Sequence, residues 1–150
     1  MSQKVDDLDL KILRHLQEDA RKSYRDIAEK LDVAEGTVYN RVNKLLQMGV
    51  IRKFGVEVDY GKLGYDLLAV VGVVVEGGKL QDVEEKLSHE PNVTAVYDVT
   101  GEYDTVVVAR FKDRTGLNRF IKALLSNPAI KKTYTMMALN VVKEESGVRL

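Results

Sequence analysis

The chain contains 150 residues, of which 45% are hydrophobic and 31% charged, and its formal net charge at pH 7 is zero. This balance predicts one medium globular domain or two small ones, and it excludes a strongly basic chain that binds polyanions over its whole surface. The absence of cysteine excludes disulfides and thiolate metal sites, and two isolated histidines predict no metal site, so neither a metal nor another cofactor is expected.

Membrane insertion and secretion are not predicted either. The longest apolar run, Leu67 to Val75, is shorter than the roughly 20 residues that a membrane span needs, and no leader-like segment precedes Asp6. We therefore expect a soluble, unprocessed protein without a membrane partner, and the missing cysteines agree with a cytoplasmic location.

The first third of the chain predicts three helices. Asp6 or Asp7 can cap the first, because the apolar residues after them recur at the spacing of one buried face. Ser23 and Asp26 form a capping-box-like start for a short second helix. The residues predicted to be buried in the three helices are Leu8, Ile12, Leu13, Leu16, Ile27, Ala28, Leu31, Val38, Val42 and Leu45.

The third helix should follow a tight connection at residues 32–34 and end near Gly49. A short helix, a turn and a longer helix with a polar face match a helix-turn-helix, whose last helix lies in a DNA major groove. The outward residues of the third helix are Gly36, Asn40, Asn43 and Gln47, flanked by Thr37, Tyr39, Arg41 and Lys44.

Local charge favours the same interpretation, because residues 36–56 contain basic but no acidic side chains in a chain that is neutral as a whole. Amide side chains suit adenine edges and arginine suits guanine, so Asn40, Arg41 and Lys44 are predicted to make groove and nearby phosphate contacts. The alternative is a packed three-helix domain in which these basic side chains form only a solvated face. The complete predicted DNA-binding set is Ser23, Tyr24, Arg25, Thr37, Tyr39, Asn40, Arg41, Lys44, Arg52 and Lys53.

A wing is predicted after the third helix. Apolar residues alternate with polar ones from Phe54 to Tyr60, as in a half-buried strand, and a strand pair here would complete a winged helix-turn-helix. We therefore place the winged helix-turn-helix DNA-binding domain at residues 1–53, and the wing strand and linker at residues 54–65. The apolar positions of the predicted wing strand are Phe54, Val56, Val58 and Tyr60.

The remaining residues contain an internal repeat, in which an apolar strand precedes an amphipathic helix, a proline and a second strand. The leading strands are predicted at Leu67–Val75 and Thr105–Phe111. Two such βαβ units predict an α+β architecture over residues 66–150: a ferredoxin-like βαββαβ sandwich with both helices on one face of a four-stranded antiparallel sheet. At an offset of 37 residues, Leu80 aligns with Leu117, Val83 with Phe120, Leu87 with Leu124, Pro91 with Pro128, Val93 with Ile130, and Tyr97 with Tyr134.

The two leading strands are apolar on both faces, so the sheet face without helices also needs a cover. The simplest cover is the same sheet of a second copy. The resulting homodimer would also present two recognition helices one DNA turn apart. The alternative is that the helix-turn-helix domain covers this face.

The order of these motifs resembles the Lrp/AsnC family of feast/famine regulators over essentially the whole chain. The resemblance rests on the Asp6, Asp9, Ile12 and Leu13 start, on Val38, Arg41, Val42, Leu45 and Gly49–Ile51, and on the turn Thr100–Asp104. It implies a sequence-specific regulator of transcription that binds double-stranded DNA, forms a dimer that assembles into a tetramer or octamer, and binds an amino acid through a C-terminal effector domain of the RAM/ACT type. Ala34 stands where relatives commonly carry serine or threonine, so no operator sequence carries over.

The resemblance also implies that the effector lies beside the turn between the second and third strands of the C-terminal domain, with two residues of the last strand nearby. Gly101 lets backbone amides approach a carboxylate, and Asp104 can accept hydrogen bonds from an α-ammonium group. The alternative is a plain β-hairpin with a solvated Asp104. The complete predicted effector-binding set is Thr100, Gly101, Glu102, Tyr103, Asp104, Thr135 and Met136.

Two rival functions remain open at this point. An architectural protein could coat or compact DNA without any effector. Some distant relatives that share both domains act in tetrapyrrole side-chain decarboxylation, which needs a basic cavity with a histidine. His15 and His89 fall on predicted helices of different domains, so no catalytic residue is assigned and no enzyme is expected.

Overall fold

The structure, a computed structural model, describes residues 4–145 and 147–150. The chain divides into two compact units, Met1–Glu57 together with Glu144–Leu150, and Val58–Lys143. The last residues thus lie with the first unit, although the sequence predicted one domain over residues 66–150. The Gln17 side chain holds them there, because its amide donates to the Val148 carbonyl at 3.0 Å and its oxygen accepts from the Leu150 amide at 3.2 Å.

The first unit contains the helices α1 (Asp7–Glu18), α2 (Tyr24–Leu31) and α3 (Glu35–Gln47). Both predicted N-caps are confirmed. Asp6 and Asp9 form a capping box, in which each carboxylate accepts a hydrogen bond from the backbone amide of the other residue at 3.0 Å. The Ser23 hydroxyl accepts from the Asp26 amide at the start of α2. These bonds satisfy amides that the first helical turn leaves without a partner.

The predicted apolar faces of the three helices form the core of this unit. Most predicted positions are buried, and Leu8, Leu13 and Leu31 are half-buried. The α3 helix is capped at Met48, and Gly49 follows with a φ of +70°, in the left-handed region that favours glycine. The buried members are Ile12, Leu16, Ile27, Ala28, Val38, Val42 and Leu45.

The predicted wing strand is wrong, because residues 52–59 form no strand. A strand requires the backbone of a second strand, and within the described part of the chain no backbone hydrogen bond joins residues 52–59 to another backbone group. The alternating side chains are also not half-buried: Phe54, Val56, Val58 and Tyr60 are all exposed. The alternation of apolar and polar residues therefore predicted a β-strand, but the described part of the chain contains no second strand that pairs with it.

The second unit confirms the ferredoxin-like prediction. A short 3-10 helix (Gly61–Leu63) leads into β1 (Leu67–Val75), and the following elements occur in the predicted βαββαβ order. The sheet order is β2-β3-β1-β4, and all neighbouring strands are antiparallel. None of the helices among the described residues is long and apolar enough to cross a bilayer. The remaining elements are α4 (Leu80–Ser88), β2 (Val93–Asp98), β3 (Thr105–Phe111), α5 (Arg114–Leu125) and β4 (Ile130–Met137).

Both helices of this unit pack on one face of the sheet. Alternate residues of β1 and β3, including Val71, Val73 and Val107, are fully buried in one cluster with residues of α4 and α5. The intervening residues lie on the opposite face, which we call the open face because no helix of this unit packs against it. The open face carries Leu68, Val70, Gly72, Val74, Val106, Val108, Tyr97, Tyr134 and Met136, together with the basic residues Arg110 and Lys132.

Candidate DNA interface and effector turn

The polar face of α3 is available to a ligand, as the sequence predicted. Tyr39 has 55% of its surface exposed, and Asn40 and Gln47 are exposed as well, whereas Asn43, which was also predicted to face outward, is half-buried. Thr37 is half-buried on the same helix, and nothing lies within 4 Å of the position that a Cβ on Gly36 would occupy. This end of α3 therefore offers hydrogen-bonding side chains and close access to the helix backbone.

Arg41 and Lys44, by contrast, are engaged inside the protein. The Arg41 guanidinium binds the Asp6 carboxylate and lies 3.3 Å from Asp9 Oδ1. The Lys44 ammonium lies 2.6 Å from Asp9 Oδ2 and donates to the Lys4 carbonyl at 3.1 Å. The sequence placed both residues on the solvent-facing flank of α3, whereas in the structure they join α3 to the start of α1. Their contact with DNA stays a prediction, and it would compete with these ion pairs.

Asp9 is the centre of this network, because its side chain is 0% exposed and contacts both bases. The Asp9 backbone amide and the Arg41 side chain lower the pKa of Asp6 to about 2. The sequence predicts Asp9 only as part of the family motif and not as the residue that balances these charges. A signal was present, since Asp9 falls on the same helical stripe as Ile12 and Leu16, and a carboxylate on a buried stripe requires charged or hydrogen-bonding partners.

The start of α2 lies beside α3 through two aromatic rings. The rings of Tyr24 and Tyr39 are 6.3 Å apart between centroids, so these two predicted DNA contacts are brought together. Ser23 uses its hydroxyl as the α2 cap, and Arg25 lies 3.0 Å from the Glu29 carboxylate in an exposed ion pair. An exposed ion pair of this kind contributes little and is easily exchanged for a phosphate.

Arg52 and Lys53 lie in the extended segment that follows α3, and both are exposed. Lys53 and Phe54 line a shallow apolar groove with residues of α1, among them Leu13 and Leu16. Among the described residues, neither basic side chain forms an ion pair. These two cations are therefore accessible to a polyanion in a way that the two bases of α3 are not.

The predicted effector turn occupies residues 99–104, between β2 and β3. Gly101 has a φ of +123°, which only glycine adopts readily, so the turn requires glycine at this position. Thr100 and Glu102 are exposed, and nothing lies within 4 Å of a Cβ placed on Gly101. The tip of the turn is thus open to solvent and free of its own side-chain contacts.

The end of the turn is anchored to β1 at two places. The Asp104 carboxylate accepts a hydrogen bond from the Val75 amide at 2.7 Å, and the Asp104 amide donates to the Val73 carbonyl at 3.0 Å. The Tyr103 ring lies so close over Gly72 that a methyl group placed on the glycine would come within 2.7 Å of it. The sequence predicted that the Asp104 carboxylate contacts a ligand or solvent, whereas one of its oxygens accepts a hydrogen bond from the backbone of β1.

Thr135 and Met136 do not face one site. They are successive residues of β4 and pair with Val71 and Val70 respectively, so their side chains point to opposite faces of the sheet. Met136 lies on the open face, where Tyr134 contacts Tyr103 with ring centroids 5.2 Å apart. The structure therefore brings Tyr134, which was not among the predicted effector residues, to the effector turn.

Comparisons with known proteins agree with both units. A family profile described as "Lrp/AsnC ligand binding domain" matches residues 68–148, and one described as "Winged helix-turn-helix DNA-binding" matches residues 5–52. An uncharacterized HTH-type transcriptional regulator of Pyrococcus furiosus is 52% identical over 141 residues, which are 94% of this chain and 95% of that protein.

Solved structures share the fold over almost the whole length. The structure of E. coli AsnC has a TM-score of 0.91 at 25% identity and covers 99% of this chain and 100% of its own. A transcriptional regulator from Neisseria meningitidis, solved as an L-Met complex, has a TM-score of 0.87 at 22% identity and covers 97% and 96%. With the long profile match and the close relative, these findings show that the chain belongs to the Lrp/AsnC family of DNA-binding transcriptional regulators.

Proposed function

We propose that this regulator recognises specific DNA sequences through the exposed polar face of α3, and that a small amino acid bound at the turn of the second unit modulates DNA binding or assembly. The proposal for DNA recognition rests on a difference between the polar side chains of α3. Asn40 and Gln47 are exposed while Arg41 and Lys44 are held by carboxylates. The groups that α3 presents to a major groove are therefore amides, which recognise the edges of adenine bases and do not depend on the charge of the phosphates.

Phosphate contacts come from neighbouring elements in this proposal. Arg52 and Lys53 are exposed beyond α3 and provide charge to the DNA backbone. The start of α2 carries Tyr24 next to Tyr39, which places a phenol beside the recognition face. Such contacts fix the position and register of the protein on the duplex, and the amide face then determines the sequence.

The open face of the second unit supports a homodimer. It carries Val70, Val106 and Val108 together with the exposed rings of Tyr97 and Tyr134, and an apolar sheet face is stable in water only when it is covered. A second copy covers it with the same surface and supplies a second recognition helix. Higher assembly to a tetramer or octamer belongs to the same proposal. Analytical ultracentrifugation of the purified protein gives the mass of the assembly and thus the number of chains in it.

The effector part rests on the free tip of the turn. Thr100 and Glu102 are exposed beside a glycine that leaves the backbone amides accessible, and the Glu102 carboxylate has no partner among the described residues. Amides suit the carboxylate of an amino acid, and a free carboxylate suits its ammonium group. The Neisseria relative with the same fold was solved as an L-Met complex, which makes amino acids the first class to test. In this proposal the protein acts by binding alone and is not an enzyme.

The DNA part is tested by selecting duplexes from a random pool with the wild-type protein and measuring affinity for the selected and for an unrelated duplex. We expect Asn40→Ala to lose roughly tenfold or more of the preference, since a good base contact contributes about 1–3 kcal/mol. Asn118→Ala, a change of the same residue type at an exposed position of α5, is the matched control and should leave the preference intact. Equal affinity of the wild-type protein for both duplexes would contradict sequence-specific recognition and favour an architectural role.

The effector part is tested by thermal unfolding in the presence of each of the twenty amino acids. A ligand at 100 times its dissociation constant adds about 2.7 kcal/mol to the native state. Glu102→Gln should lose this gain without changing the stability of the unliganded protein, because Glu102 is exposed. Stabilisation by none of the amino acids would favour an effector-independent DNA-binding protein.

A further inference from the structure

The two basic side chains of α3 are neutralised inside the protein by two carboxylates at the start of α1. Asp6 and Asp9 contact Arg41, and Asp9 also lies 2.6 Å from Lys44. The network contains two acids and two bases, so it carries no net charge. Because Arg41 and Lys44 are ion-paired within the protein, α3 does not present their positive charge to DNA.

We propose that Asp6 and Asp9 are specificity-determining residues, which withhold Arg41 and Lys44 from DNA phosphates and so weaken binding to unrelated sequences. The inference rests on the proposed recognition of DNA by α3 and goes beyond it. Phosphate contacts by lysine and arginine add affinity for every sequence, whereas contacts to base edges add affinity for one. Withholding two cations per copy lowers the affinity for every sequence and leaves the affinity gained from base contacts unchanged.

The two carboxylates differ in how easily they release their partners. Asp9 is fully buried, and its carboxylate also accepts the Asp6 amide, so it cannot leave the network without disrupting the junction of α1 and α3. The Asp6 side chain is 48% exposed, and that of Arg41 is 30% exposed. Asp6 is therefore the position at which one cation can be released while the fold is kept.

The chain offers a clean substitution at this position. Asparagine caps helices about as well as aspartate does, so Asp6→Asn keeps an acceptor for the Asp9 amide. It removes the charge of one of the two carboxylates that hold Arg41 and leaves only the contact to Asp9 Oδ1 at 3.3 Å. Asp7→Asn is the matched control, because Asp7 is exposed in the first turn of the same helix and forms no recorded ion pair among the described residues. Both variants change the net charge and the charge at the helix start by the same amount.

The experiment measures the affinity of the full chain for a selected and for an unrelated duplex over a range of salt concentrations. We expect Asp6→Asn to bind the unrelated duplex roughly threefold tighter or more at low salt. Its log–log salt slope should become steeper by about 1.8 per dimer, which is about 0.9 for each of two released arginines. The ratio of selected to unrelated affinity should fall, and the double variant D6N/R41A should return the slope to the wild-type value.

The possible outcomes separate this inference from the proposed function. If Asn40→Ala abolishes the preference of the protein but Asp6→Asn and Asp7→Asn show the same slopes, recognition by α3 stands and the withholding of Arg41 is overturned. If Asp6→Asn binds the unrelated duplex more weakly than wild type does, the inference is overturned as well. If the wild-type protein shows no preference that depends on Asn40, the proposed function itself fails.

Discussion

Asp9 and Asp104 are both carboxylates that join one element to another, but they bind different kinds of partner. Asp9 contacts the charged side chains of Arg41 and Lys44, and its own side chain is fully buried. Asp104 accepts one backbone amide, that of Val75, at the edge of a half-buried site. The first therefore balances charge within the helix-turn-helix, and the second only completes the hydrogen bonding of a strand.

This difference determines how much stability is lost when each carboxylate is removed. Loss of the buried Asp9 carboxylate leaves Lys44 without a carboxylate partner and leaves Arg41 with Asp6 alone. An unbalanced charge that is largely buried is far more costly than an unpaired amide. Loss of the Asp104 carboxylate leaves one backbone amide, that of Val75, without its acceptor. The following substitutions test whether the two sites differ in this way.

The largest effect is expected for Asp9→Ala. The free energy of unfolding should fall by about 3 kcal/mol, because removing one partner of a buried ion pair strands the other. Urea unfolding followed by circular dichroism measures the change. Asp7→Ala, in the same helical turn but exposed, is the control and should shift stability by no more than about 0.5 kcal/mol. A loss below about 1 kcal/mol for Asp9→Ala would show that Asp9 does not balance the two bases.

A smaller loss is expected for Gly72→Ala, which tests the packing of the Tyr103 ring over β1, next to Asp104. The new methyl group would meet the Tyr103 ring at 2.7 Å, and displacing a packed ring costs about 2 kcal/mol. The same unfolding assay measures it. Gly77→Ala adds a methyl group with nothing within 4 Å and should not destabilise the protein. Equal behaviour of the two glycine variants would mean that Tyr103 does not fix the turn.

Asp104→Ala should lower the free energy of unfolding by about 1.5 kcal/mol, the range of a hydrogen bond to a charged acceptor. Asp104→Asn retains an acceptor for the Val75 amide and should recover most of the loss. Denaturant midpoints of the three proteins give the comparison. If alanine and asparagine destabilise alike, the charge of Asp104 rather than its hydrogen bond stabilises the fold.

The smallest effect concerns pH. Hydrogen bonds from the Asp9 amide and from Arg41 lower the pKa of Asp6 from 3.8 to about 2. A carboxylate with a lowered pKa stabilises the native state above its ordinary pKa, and this contribution is lost as the pH falls through the lowered value. The wild-type protein should therefore lose stability between about pH 3.8 and pH 2, and Asp6→Asn should lose less. An unaltered pH profile in the variant would contradict the assignment.

The sequence predicted those parts of the fold that local patterns determine. The observed limits of β1 and β3 are the predicted ones, because a run of branched apolar residues bounded by polar residues specifies a buried strand. The caps at Asp6 and Ser23 were also predictable, since a cap depends on residues three positions away. These features require no knowledge of the tertiary structure.

The failures all depend on distant partners. The segment at residues 52–59 alternates like a strand, but pairing needs a second backbone that its own pattern does not supply. Helical periodicity placed Arg41 on a solvent-facing flank, and the sequence around it contains no acid, whereas its partners Asp6 and Asp9 lie 35 and 32 residues away at the start of α1. Composition over a short window therefore finds a polar site without showing which of its side chains are already paired.

The internal repeat has a consequence for how the second unit can diverge. Its two βαβ halves share the buried positions of one core, so a change in either half must suit the packing of the other. The turn at residues 99–104 is the seam between the halves and has no counterpart inside either of them. New residues at its exposed positions, Thr100 and Glu102, can therefore change its chemical preference without altering the packing of the duplicated core.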